Sequence, residues 1–130
     1  MAKKRILCVD DHTDMCDLVA VILKKYDIVS AHSMEDALRK ASLEKFGLYL
    51  LDYHLPDGNG IELCLLIKNF DGETPILFVT GTSTMTEAQA LTVGGQGLVR
   101  KGKKSFNDEL ARKVDEQLGP AKKAPAKAEK

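Results

Sequence analysis

Asp10 and Asp11 follow the apolar run ILCV, Asp52 follows LYLL, Thr80 follows ILFV, and Lys101 follows LVR. Three carboxylates, a hydroxyl and an ammonium are the groups needed to hold a divalent cation beside a phosphoryl group. Carboxylates crowded together raise one another's pKa and repel; a hard cation with oxygen ligands relieves that repulsion. Mg²⁺ fits best, because it takes a few carboxylates, keeps several waters and leaves positions for a phosphoryl oxygen. On this reading Asp11 is a direct ligand, Asp10 a ligand held mainly through water, and Asp52 the third. Asp52 has a second capacity, since a carboxylate can attack phosphorus and hold it as an acyl phosphate. The cation would then cover one phosphoryl oxygen, Lys101 a second and the Thr80 hydroxyl a third. Such positioning and charge neutralisation are most of what phosphoryl transfer asks of a protein.

Taken singly, each residue has a plainer reading. An Asp-Asp pair is often a solvated loop or a helix cap, Thr80 a capping hydroxyl, and Lys101 one of the solvated cations of RKGKK. A one-residue slip in register would also put Arg100 where Lys101 is placed. What favours the chemical reading is the coincidence of position. All five residues stand where short apolar runs stop, and such runs read as buried strands of a parallel sheet. The carboxyl ends of those strands are where open α/β sheets bind their ligands.

The elements that must do the positioning alternate five times. Strands are predicted over 5–10, 28–31, 47–52, 75–80 and 97–100, and helices over 14–25, 34–45, 60–70, 84–93 and 106–118. Met15, Leu18, Val19, Ile22 and Leu23 recur at the spacing of one helical stripe. Ser33 with Asp36, and Ser105 with Asp108, suggest capping boxes, and Gly94 suits a left-handed helix end. Strict alternation implies a parallel sheet with helices on both faces. The expected fold is α/β, a flavodoxin-like (βα)5 arrangement with strand order 2-1-3-4-5. In that order the first and third strands are neighbours, so Asp10, Asp11 and Asp52 meet at the switch point.

Bulk properties agree. The chain has 130 residues with 19 basic and 19 acidic side chains, which fits one domain and gives no global charge for nucleic acid. Residues 119–130 carry four lysines against one glutamate and little that can be buried, so a disordered tail is expected there beyond a domain over 1–118. Cys8, Cys16 and Cys64 form no CxxC or zinc spacing; an odd count without a secretory signal suggests reduced, buried thiols in a cytoplasmic protein. No apolar run is long enough to span a membrane. His12 and His32 read as solvent-facing loop residues. Gly94-Gly95-Gln96-Gly97 follows a predicted helix, whose end has the wrong sign for phosphate, so it reads as a turn.

Over residues 4–118 the chain resembles a response-regulator receiver domain of bacterial two-component signalling. The matching residues are Asp10-Asp11, the D-x-x-L-P-D-G segment from Asp52 to Gly58, Thr80-Gly81 and Lys101. The resemblance implies an acidic metal pocket at Asp10 and Asp11 and Asp52 as phosphoacceptor. It also implies Thr80 as switch hydroxyl, Lys101 as phosphate-binding lysine and the backbone carbonyl of His54 as a further metal ligand. A sensor histidine kinase or phosphotransfer protein is the implied phosphodonor. Two residues depart from the pattern. Leu98 stands where receivers carry an aromatic residue, and Gly102 stands where they carry a proline after a cis peptide. A cis bond without proline costs about 2.5–4 kcal/mol, so a trans Lys101-Gly102 bond and a reshaped loop are expected.

The resulting expectation is a stand-alone receiver without a DNA-binding module that signals to an unidentified downstream protein by contact. The loop after Thr80, the helix over 84–93 and the last strand and helix are its moving parts. His54 and Thr82 are expected to influence water access to the phosphorylated state. Leu98 and Gly102 also permit a pseudo-receiver, a binding module whose pocket is weakly coupled to its output face. A phosphatase with an aspartyl nucleophile is a third possibility, but it needs a second acid two residues on, where His54 stands.

Overall fold

The apolar runs form strands wherever the chain must bury side chains on both sides at once. The computed structural model describes residues 3–119. It contains β1 (Arg5–Val9), α1 (Thr13–Ile22), β2 (Asp27–Ala31), α2 (Met34–Leu43), β3 (Leu48–Leu51), β4 (His54–Leu55), β5 (Gly58–Asn59), α3 (Gly60–Phe70), β6 (Ile76–Thr80), α4 (Glu87–Thr92), β7 (Gly97–Arg100) and α5 (Phe106–Leu118). Five parallel strands lie in the order β2-β1-β3-β6-β7, which is the expected 2-1-3-4-5. The antiparallel pair β4-β5 was not anticipated; it is a minimal hairpin within HLPDGNG.

Alternation along each strand splits the core into two. Leu7, Val9, Tyr49, Leu51, Phe78 and Leu98 pack with Ala37, Leu63, Ile67 and Ala90 from α2, α3 and α4. Ile6, Cys8, Leu48, Leu50, Leu77, Val79 and Val99 pack on the other face with Val19, Phe106, Leu110 and Val114 from α1 and α5. All three cysteines are free and buried. No helix among the described residues is long and apolar enough to cross a membrane.

Several boundaries differ from expectation, each for a local reason. The first and third strands stop one residue early, at Val9 and Leu51, so Asp10 and Asp52 stand just past the strands they follow. α1 ends at Ile22 rather than 25, because the chain turns to bury Tyr26 and to start pairing with β1. Its buried face uses Cys16 in place of Leu18, which is 39% exposed. α2 ends at Leu43, where Glu44 becomes extended so that Phe46 can enter the core. α4 starts at Glu87, since a capping box between Thr86 and Gln89 fixes its first turn and leaves the buried Met85 in the preceding loop.

Ser33 caps α2 as expected, accepting from the Asp36 N–H. Ser105 does not cap α5. Its φ of −83° and ψ of 3° continue the preceding turn instead of the extended backbone a capping side chain requires. Gly94 takes φ +96° at the end of α4. The tail expected over 119–130 falls, beyond Gly119, outside the described residues.

Candidate phosphoryl and metal site

Parallel pairing of β1 with β3, and of β3 with β6, carries the residues after each strand to one edge of the sheet. The ladder continues one step past the strands: the Asp10 N–H donates to the Ala31 carbonyl and the Asp52 N–H to the Val9 carbonyl, both at 3.0 Å. Asp10 is 2% exposed, Asp52 6% and Thr80 0%. Buried carboxylates require partners, and both have them. Lys101 Nζ lies 2.6 Å from Asp10 Oδ2 and 3.1 Å from Asp52 Oδ2. The other oxygen of Asp52 accepts from the Tyr53 N–H at 2.7 Å, and that of Asp10 accepts from the His12 N–H at 2.9 Å.

The register that could have exchanged Arg100 for Lys101 is thereby settled in geometry. Arg100 pairs with Thr80 across β6 and β7 and turns to the α4 side, where its guanidinium donates to the carbonyls of Thr82 and Met85. Lys101 turns the other way, into the crevice. Burial pulls its ammonium down, but the hydrogen bond it donates to Asp10 and the charges of Asp52 and Asp10 more than offset this, leaving its pKa above the ordinary value.

Gly60, the first residue of α3, sets how closely that helix approaches Asp52. A Cβ there would stand 2.2 Å from the Asp52 carbonyl oxygen and 3.3 Å from the Phe78 ring. The Gly60 N–H closes this corner on the Tyr53 carbonyl at 2.7 Å.

Lys101, Asp52 and Thr80 open onto a crevice of about 580 Å³, also lined by His12, Asp14, Met15, His54, Gly81 and Thr82. The expected site residues are thus brought together, with Asp10 and Asp11 at its acidic end. One ligand atom from each of Asp10, Asp11, His12 and Asp52 lies within 4.8 Å of the others. Three carboxylates against the single ammonium of Lys101 leave two negative charges, which a divalent cation would balance. The donor set therefore fits a hard divalent cation.

Leu98 and Gly102 lie outside the crevice. Leu98 is buried with Phe78, Met85 and Ala90. Gly102 takes φ +84°, which glycine adopts without strain, and no cis peptide occurs among the described residues.

Three residues have roles that the sequence reading did not assign. His12 is exposed, as expected, but its Nδ1 sits 3.2 Å from Asp10 and 3.1 Å from Asp11; its place directly after the acid pair was the available signal. His32 is only half-buried, and its Nδ1 lies 2.8 Å from the Asp10 carbonyl. Asp57 caps α2 from outside, accepting from Met34 N–H at 2.7 Å and Glu35 N–H at 3.0 Å. No sequence spacing announces a cap supplied from more than twenty residues away.

Comparison with known proteins places this architecture in a family. The model of the response regulator receiver domain matches residues 6–114, and the chain belongs to that family. It is 33% identical over 104 residues to the response regulator protein PilR of Pseudomonas aeruginosa, an alignment covering 78% of this chain and 23% of PilR. Among solved structures it is similar to a two-component response regulator from Clostridium difficile, with 28% identity, TM-score 0.81, and coverage of 93% of this chain and 100% of that one. It is also similar to the BeF3-activated DrrB receiver domain, with 26% identity, TM-score 0.78, and coverage of 91% and 98%. The chain spans about half or less of the length of the curated relatives it matches. Receiver domains are signalling modules that interact with histidine kinases or phosphotransfer proteins and bind Mg²⁺ at an acidic pocket.

Proposed function

We propose that residues 1–118 form a phosphoacceptor unit in which Asp52 takes a phosphoryl group and thereby changes the protein's contacts with a downstream partner. The observation that carries this reading is the triangle of Asp52, Asp10 and Lys101 Nζ, two of whose members line the crevice. A carboxylate oxygen of Asp52 attacks phosphorus of a phosphohistidine or a small acyl phosphate. The donor's bond to phosphorus breaks, and the leaving nitrogen or oxygen keeps the electron pair. Lys101 is placed to move from Asp52 to a phosphoryl oxygen, and the Thr80 hydroxyl to donate to another. Asp10, Asp11, Asp52 and the backbone carbonyl of His54 would hold Mg²⁺, with Asp10 acting mainly through water. The bound ion supplies positive charge against the phosphoryl oxygens. A cytoplasmic location goes with this reading and with the reduced, buried thiols.

The test is intact-mass spectrometry after incubation with acetyl phosphate, with and without Mg²⁺. One added phosphoryl group is expected, dependent on Mg²⁺ and lost in Asp52→Ala. Labelling that persists in that variant would overturn the assignment. His54 and Thr82 flank the opening, so exchanging both should change the dephosphorylation rate; an unchanged rate removes them from the mechanism.

The burial of Leu98 in the same core cluster as Met85 favours a second reading. A leucine there has no polar tip to rearrange, so the pocket would be intact while its coupling to α4, β7 and α5 is weak. Resonances of residues 84–104 that stay fixed when beryllofluoride binds would select this pseudo-receiver.

A further inference from the structure

The geometry points to Arg100 as a positioning residue that presets the Thr80 hydroxyl as a donor toward the phosphoryl group. This rests on the phosphoacceptor reading of the site and adds to it a residue that touches neither Asp52 nor the crevice.

Thr82 links the two residues. The Arg100 guanidinium donates from Nη1 to the Thr82 carbonyl and from Nη2 to the Met85 carbonyl at 2.8 Å. The Thr82 N–H donates in turn to Thr80 Oγ1 at 3.3 Å. Thr82 is therefore held at its carbonyl by Arg100 while its amide holds Thr80. A hydroxyl that accepts from a fixed N–H keeps its own proton for another acceptor. Thr80 lines the crevice with Asp52 and Lys101, so a phosphoryl oxygen on Asp52 is the acceptor that proton meets.

The chemistry of the anchor supports the assignment. Hydrogen bonds from a guanidinium are charge-assisted and stronger than neutral ones. Its planar fork can span two carbonyls of one loop, which a lysine ammonium cannot do in the same geometry. The register allows this because Arg100 lies directly opposite Thr80. Leu98, two residues earlier on the same face of β7, has no polar atom to bind the loop; Arg100 supplies the polar tie. Lys101 follows it immediately, so one strand end grips both the acceptor and the loop that carries the donor hydroxyl.

A double-mutant cycle tests the assignment. The affinity for beryllofluoride in saturating Mg²⁺ is measured by ¹⁹F NMR for the wild type, Arg100→Ala, Thr80→Ala and the double variant, with Mg²⁺ affinity measured separately. Arg100→Ala is expected to weaken beryllofluoride about fivefold, the scale of one hydrogen bond. It should leave Mg²⁺ affinity unchanged and add no further loss in the Thr80→Ala background. Arg100→Lys, which keeps the charge and stem, should recover only part of the loss and serves if the alanine variant folds poorly. An equal loss in both backgrounds, or a parallel fall in Mg²⁺ affinity, would overturn the relay and leave Arg100 a structural residue. So would Thr80→Ala binding as tightly as the wild type. A wild type that acetyl phosphate labels at Asp52 but that shows no Arg100–Thr80 coupling defeats this inference alone. A wild type that cannot be labelled defeats the phosphoacceptor reading itself.

Discussion

Lys101 is the residue on which the electrostatics of the crevice turn. Two nearly buried carboxylates share its ammonium, at 2.6 and 3.1 Å. Breaking a buried pair by removing one partner leaves uncompensated charge. Lys101→Met should therefore cost about 3–5 kcal/mol in urea unfolding without divalent cation. Saturating Mg²⁺ should recover much of that loss. An equal loss with and without Mg²⁺ would mean that the cation does not compensate for the missing ammonium. The pH dependence has a definite sign. Because the fold raises the Lys101 pKa, its contribution is complete below the ordinary value of about 10.4 and is lost as pH rises through the raised one. Tyr26 and Tyr49 lose stability in the same direction, since burial first, and Asp115 and Asp71 beside them, push their hydroxyls up. Stability curves from pH 8 to 11 should thus be shallower for Lys101→Met than for the wild type, without becoming flat.

At the scale of elements, the turn after β3 ties Asp52 to two helices. Asp57 caps α2, and the N–H groups of Met34 and Glu35 hold its carboxyl below the ordinary range. Its contribution is present above about pH 4 and is lost as pH falls through the depressed value. Asp57→Ala should lower stability by roughly 0.5–1 kcal/mol at neutral pH, the low end for a lost cap because the group is exposed. The deficit should shrink on acidification, as followed by circular dichroism. Gly60→Ala is harsher, because the new methyl meets backbone rather than a side chain able to move. It should destabilise by about 1–3 kcal/mol and slow labelling of Asp52, which calorimetry and mass spectrometry would register separately. The longer elements and their order were legible because burial on both faces writes continuous apolar runs and amphipathic stripes into the chain. Where tertiary contacts decided, the sequence was silent. The buried Met85 holds the loop before α4 in place, which apolar spacing does not mark, although the Thr86–Gln89 spacing of a capping box stands in the sequence. Ser105 has the residue type of a cap but the backbone of a turn. Among site residues, those at strand ends could be read directly. Asp57 and Arg100 meet partners that only the folded chain supplies, whereas His12 stands directly after the acids it contacts.

For the molecule as a whole, the crevice lies across the edge of a sheet whose two faces have separate cores. A ligand that binds only the folded form stabilises all of it by mass action. Beryllofluoride with Mg²⁺ at a hundredfold excess over its Kd should add about 2.7 kcal/mol and raise the melting temperature by several degrees. Asp52→Ala should abolish that shift, and scanning calorimetry would show it.

The bridging ammonium also bears on the order in which this protein matures. Small zinc proteins often cannot fold until their ion arrives, because metal binding supplies the folding free energy that their small cores lack. Here an internal cation already quiets two of the three acids. On the proposed reading the chain completes its architecture before any cation binds, so chelation should silence the molecule while leaving it standing.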